Sequence, residues 1–231
     1  MHILDQIFQG EQMYKIKFKS GEVKEFKTLV GADLRYAELF NHSFKNTSFR
    51  GADLRYADLR EADLVNASFV DADLRDANLE CSDLRNANFI GCNLTGARLG
   101  SAKLRNAEFG GANLTYANLH HVDANHASFI NTTLHYTNLR YADLRNAYLL
   151  HADILDAGLN HCTSNSKNLY TIHHPSYIIV VTPTHFHIGC ESHTRKQWEL
   201  FTRDQIEYMD GEKALRFWYQ SGVREILFEL P

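Results

Sequence analysis

The chain has 231 residues, 44% of them apolar, and a formal net charge of −4. That length supports one domain with small ends, and the charge gives no general electrostatic hold on nucleic acid. No apolar run of about eighteen residues and no basic, apolar leader is present, so a soluble cytoplasmic protein without membrane contact is expected.

Residues 14–28, YKIKFKSGEVKEFKT, alternate polar and apolar on both sides of Ser20-Gly21, which predicts a β-hairpin. From Leu34 to Leu159 every fifth residue is Leu, Phe or Ile except Ala124, and the residue two before it is nearly always small, usually Ala. Twenty-six units of the form A(D/N)LXX thus run in unbroken phase through more than half of the chain. A period of five fits neither a helix nor a strand over its whole length. Within one unit, Ala52, Asp53 and Leu54 read in, out, in, the alternation of extended backbone, and the next inward residue is Ala57. A corner must lie between them, at Arg55 and Tyr56. Corner positions carry turn-forming residues, Asn at 46, 66, 86, 106 and 146 and Gly at 51, 91, 96 and 111.

Phe replaces Leu at 49, 69, 89, 109 and 129, so four pentapeptides complete one coil and like residues stack. Twenty-six units give about 6.5 coils and, at roughly 4.8 Å per rung, a rod about 31 Å long. Four Leu or Phe and four Ala per coil fill a cross-section roughly 10 Å on a side, leaving no internal pocket and no need of a cofactor. Val122 and Ala124 invert the usual small and large slots, either by compensation in volume or by a local bulge.

This pattern resembles the pentapeptide-repeat protein family, over residues 32 to about 161. The resemblance implies an all-β solenoid, a right-handed quadrilateral β-helix, its handedness coming from the family alone. An open coil end exposes unpaired backbone groups, so residues 1–30 with their hairpin are assigned as an N-terminal cap and residues 31–162 as the coil.

Residues 163–176 form a linker and residues 177–231 a small α+β module. Its apolar runs Tyr177–Thr182 and His185–Cys190 predict a strand pair joined at Pro183. Thr202 with Gln205 predicts a helix-capping box, and Asp210 a second cap ahead of Leu215 and Trp218. Residues 188–198 resemble a C-terminal module of pentapeptide-repeat proteins from phages and bacteria, which implies that origin and no particular activity.

His185, His187, Cys190 and His193 are metal-ligand types within nine positions, and a strand would put His185 and His187 on one face. Their spacing matches no common zinc motif, so no metal is assigned, and the alternative is surface histidines around a buried Cys190. Cys92 and Cys162 fall in inward small-residue slots, where inert thiols belong. No phosphate-binding glycine loop, Ser nucleophile motif or paired-carboxylate motif occurs, so no catalytic residue is assigned and an enzyme is not expected. His120, His121, His126, His135, His151 and His161 lie at corners, as a solvated face. The corner column Tyr36, Tyr56, Tyr116 and Tyr136, interrupted at Asp76 and Gly96, reads as tyrosines stacked for coil stability or as a binding strip. Val70, Ile90, Ile130 and Leu150, broken by Gly110, form an outward apolar stripe of the kind that marks a partner or dimer contact.

The fluoroquinolone-resistance branch of the family implies one further role, imitation of duplex DNA before gyrase and other type II topoisomerases. B-DNA as long as this rod would carry about 18 charges, whereas residues 31–162 hold 16 acids and 12 bases. The excess concentrates in residues 31–83, with 11 acids and 6 bases, which makes Asp53, Asp58, Asp63 and Asp73 the candidate contacts. The repeat also runs without the projecting loops associated with that branch. The sequence therefore points to a non-enzymatic scaffold for a protein partner, with no direct nucleic-acid contact. Modulation of gyrase or another DNA-binding protein is the alternative, and a structural metal in the C-terminal module the third reading.

Overall fold

The computed structural model describes residues 13–149, 152–154, 157–158, 162–163, 170–173, 178–181, 185–188 and 191–220. Hydrogen bonding explains why five residues make one side of the coil. In the unit Ala52 to Tyr56, the N–H of Asp53 reaches Ala32 O at 3.0 Å in the rung before. Those of Leu54 and Tyr56 reach Asp73 O and Arg75 O at 2.7 and 3.1 Å in the rung after. The N–H of Ala52 closes the preceding turn onto Phe49 O at 2.9 Å. Only the N–H of Arg55 is left over, and the Asp53 carboxylate accepts it at 3.3 Å. The repeat's preference for Asp or Asn before Leu is thus an Asx-type side-chain acceptor for the one amide that the ladder cannot satisfy.

Each corner turn places its third residue in the left-handed region, as a type II turn demands: Tyr56 has φ 60°, Asn66 59° and Gly96 69°. Glycine and asparagine occupy that region at least cost, and other residues there cost roughly 1–2 kcal/mol each. Parallel bridges join residues 20 apart, from Asp33↔Asp53 to Asp143↔Thr163, so the coil is four-sided. Leu29 is already inward and buried, and the Gly31 N–H bonds to Arg50 O, so the coil phase starts one pentapeptide before Leu34.

Inside, the rings of Phe49, Phe69, Phe89, Phe109 and Phe129 stack at centroid spacings of 4.8 to 5.0 Å, nearly parallel. Val122 and Ala124 are both buried, and the bridges Lys103↔Asp123 and Asp123↔Asp143 keep their register, so the exchange is one of volume and no bulge forms. Ser82, Thr132 and Thr137 take inward small-residue slots, and each hydroxyl donates to a backbone carbonyl, of Leu79, Phe109 and Leu114 respectively.

The hairpin is β1 (Tyr14–Phe18) and β2 (Val23–Phe26). β1 pairs antiparallel with β3 (Ala37–Glu38), a side of the first coil, through Lys17↔Glu38 and Phe18↔Ala37. The expected cap thus covers one side of that coil. The C-terminal module has more strands than the predicted pair: β4 (Tyr170–His173), β5 (Ile178–Val181), β6 (His185–Ile188) and β7 (Glu191–Thr194) form one antiparallel sheet in that order. Helices α1 (Arg195–Leu200) and α2 (Arg203–Gln220) follow, each opened by a capping box, Thr194 with Gln197 and Thr202 with Gln205. Asp210 and Gly211 leave the helical region, breaking α2 where the second cap was expected. No helix among the described residues is long and apolar enough to cross a membrane.

Candidate interaction surface

With the inward positions filled, any chemistry of the coil resides on three outward residues per unit: the Asp or Asn, and the two corner residues. The first of these is engaged in the structure. Arg55 clamps Asp53 with two hydrogen bonds of 2.8 and 2.7 Å, and Arg60 and Arg75 hold Asp58 and Asp73 in the same way. Lys45 lies 2.9 Å from Asp63. The four carboxylates expected to carry the charge of a DNA mimic are therefore each neutralised by a neighbour. Of the acids in residues 31–83, only Glu61 and Asp76 have no cation within 4.0 Å among the described residues. The sequence showed Arg two positions after Asp; the fork geometry that locks the pair is visible only with the corner in place.

These clamps depress the carboxyl pKa values. The side-chain hydrogen bond from Arg35 holds Asp33 at about 2, below its ordinary 3.8. The corresponding arginines lower Asp53, Asp58, Asp73, Asp83 and Asp143. A carboxylate lowered on folding stabilises the fold fully above its unfolded pKa and loses that contribution as pH falls through the folded value. Thermal stability is therefore expected to be flat from neutrality to about pH 5 and to fall between about pH 4 and pH 2, modestly per pair because the pairs are partly exposed. A melting temperature unchanged down to about pH 2 would show the clamps to be energetically silent.

The apolar stripe lies beside the Phe stack. Ile90 is 40% exposed, and Val70 and Ile130 are half-buried. Ile90 Cγ1 lies 3.6 Å from where a Cβ on Gly110 would sit, so Ile90 leans across the glycine break. Leu150 lies outside the described residues. The corner tyrosines stack as expected, Tyr36 on Tyr56 at 5.1 Å and Tyr116 on Tyr136 at 5.0 Å. Of the corner histidines, His121 stacks on Tyr141, and the His120 ring occupies the space that a Cβ on Gly100 would need. His151 and His161 lie outside the described residues.

Of the metal candidates, His185, His187 and His193 lie among the described residues. In the β6–β7 register His193 is paired with Phe186, and so falls in the opposite alternation to positions 185 and 187. The His193 ring packs edge-on against Trp198 and Phe201. Cys190 lies outside the described residues. Register, which spacing alone could not supply, sets His193 apart from the two β6 histidines. Protein purified without added metal is expected to melt identically with and without a chelator, and one zinc per chain by elemental analysis would contradict this. Within the coil, Cys92 and Cys162 are buried, and burial pushes the Cys92 thiol up to about 12, the state of an inert packing residue.

The pentapeptide repeat region model matches residues 62–139, and the pentapeptide repeats model, of eight copies, matches residues 29–65 and 127–163. Together they span more than half of the chain. The chain belongs to the pentapeptide-repeat family. Among solved pentapeptide-repeat structures, HetL, involved in heterocyst differentiation regulation in the cyanobacterium Nostoc, is 26% identical with a TM-score of 0.37. That match covers 52% of this chain and 65% of HetL, less than two thirds of its length. A pentapeptide repeat protein of the Arabidopsis thaliana thylakoid lumen is 29% identical with a TM-score of 0.36, over 47% of this chain and 69% of its own. Trypsin-treated QnrB1, a plasmid-mediated fluoroquinolone resistance protein, is 18% identical with a TM-score of 0.35, over 55% of this chain and 85% of its own. No curated protein sequence matches the chain.

Proposed function

We propose that this pentapeptide-repeat protein is a non-enzymatic scaffold that binds a protein partner through the outer faces of its coil. The observation that carries this reading is the division of labour within the repeat. Inward residues are packed apolar or small side chains, and the outward Asp and Asn residues serve the backbone and its arginines. What remains for recognition is the aliphatic stripe at Val70, Ile90 and Ile130 and the aromatic corners. No set of titratable groups in the described coil has the arrangement of a nucleophile with its base or of an open metal site.

Gyrase supercoiling in the presence of excess protein separates this reading from DNA mimicry. The scaffold reading expects no salt-sensitive inhibition. In the comparison variant Asp53, Asp58, Asp63 and Asp73 are each replaced by Asn, which at 53, 58 and 73 keeps the acceptor for the leftover amide, as Asn78, Asn88 and Asn93 do natively. Inhibition by the wild type that falls with salt and is lost in that variant would assign the function to electrostatic imitation of DNA.

A further inference from the structure

One corner of the coil breaks its own rule. The column runs Tyr36, Tyr56, Asp76, Gly96, Tyr116, Tyr136, every member in the left-handed region. Stacked tyrosines fill one rung each, at centroid spacings of 5.0 to 5.1 Å. At Gly96 the ring is missing. The face of Tyr116 that would meet it is left open, and Tyr116 is 63% exposed, against 48% for Tyr136 and 43% for Tyr56. On the other side of the gap stands Asp76, whose Oδ1 lies 2.5 Å from the position a Cβ on Gly96 would take. Asp76 is also one of the two carboxylates of the acidic rungs with no cation within 4.0 Å among the described residues. The nearest arginines in sequence are committed elsewhere, Arg75 to Asp73 and Arg98 to Glu80.

A slot one ring high, with an aromatic face below and an uncompensated carboxylate above, suits a flat cation. The protein displays that chemistry on itself. The Arg60 guanidinium lies 5.3 Å from the centroid of the Phe40 ring, one rung away, while Asp58 holds it with hydrogen bonds of 2.8 and 2.6 Å. Another corner carboxylate, Asp71, meets a guanidinium too, that of Arg50 at 3.4 Å. We propose that the gap over Gly96 is a binding site for one arginine side chain of the partner protein, stacked on Tyr116 and paired with Asp76. The site rests on the scaffold reading above and gives it a recognition chemistry.

The test uses the full-length, 15N-labelled protein and the capped tripeptide Gly-Arg-Gly, with Gly-citrulline-Gly as the neutral, equally planar control. The arginine peptide is expected to shift the backbone amides of Asp76, Gly96 and Tyr116 saturably. Binding should weaken about two- to fivefold with citrulline and to a similar degree in Asp76→Asn and Tyr116→Asn, both of which keep a residue suited to the left-handed corner. Gly96→Tyr, which sets a ring against Tyr116 in the place the guanidinium would take, should abolish binding while the spectrum remains that of a folded coil. Equal binding of the two peptides, or arginine shifts that survive both Asp76→Asn and Gly96→Tyr, would overturn the site. Loss of this site with a protein partner still captured would remove the arginine and leave the scaffold standing; a working slot on a protein that captures no partner would do the reverse.

Discussion

Leu99→Ala is expected to lower the free energy of unfolding by about 2–5 kcal/mol. Leu99 is fully buried, between Leu79 and Leu119 in the same column, and its side chain fills a slot bounded by backbone on every rung. The hydrogen-bonded ladder fixes the rung spacing, so neighbouring coils cannot slide together to close the void. The loss should therefore lie towards the upper end for a Leu-to-Ala change. Because each rung touches only its neighbours, the damage should also be local, with hydrogen exchange accelerating most at residues 79–119 and least in the first coil. A wild-type denaturation midpoint for this variant would refute the inward assignment.

The second large effect concerns the one rung where the repeat inverts its sizes. Val122 and Ala124 share the space that Ala and Leu share elsewhere, with the ladder in register on both sides. Ala124→Leu alone should overpack the rung and cost about 1–3 kcal/mol. Val122→Ala alone should cost about 2 kcal/mol, two buried carbons lost with no collapse to compensate. The double variant restores the ordinary unit and should be close to wild type. The sum of the single losses then exceeds the double by a coupling of about 2 kcal/mol or more, measurable by chemical denaturation. Additive losses would mean that the two residues do not share one space.

The fold was legible because the repeat states its own geometry. The spacing of Phe49, Phe69 and Phe89 counted the sides of the coil, and the Asn and Gly residues marked its corners before any φ was known. Less legible was the reason for Asp53 or Asn78. An outward Asp reads as surface charge offset by the arginine two residues on; the structure adds that the same carboxylate completes the backbone, and the acid count alone overstated the free charge of residues 31–83. In the C-terminal module the apolar runs located β5 and β6. β4 was missed because it lies in residues 163–176, assigned as a linker, and β7 because Glu191–Thr194 has no apolar residue; their pairing is decided by neighbours rather than by their own pattern. The position of His193 was hidden for a related reason: register, invisible in sequence, pairs it with Phe186 rather than with His185 or His187. The gap at Gly96 was visible in the sequence as an interruption of the tyrosine column, but only the open face of Tyr116 and the position of Asp76 give it a chemistry.

The most direct measurement is affinity capture from a bacterial lysate with three forms of the protein: the wild type, the variant with Asp53, Asp58, Asp63 and Asp73 changed to Asn, and one with Val70, Ile90 and Ile130 changed to Ser. All three leave the inward positions untouched and should melt alike within a few degrees. The scaffold account predicts a stoichiometric protein retained by the wild type and by the Asn variant and lost by the Ser variant. A protein lost by the Asn variant and kept by the Ser variant, or no protein retained by the wild type, would contradict it.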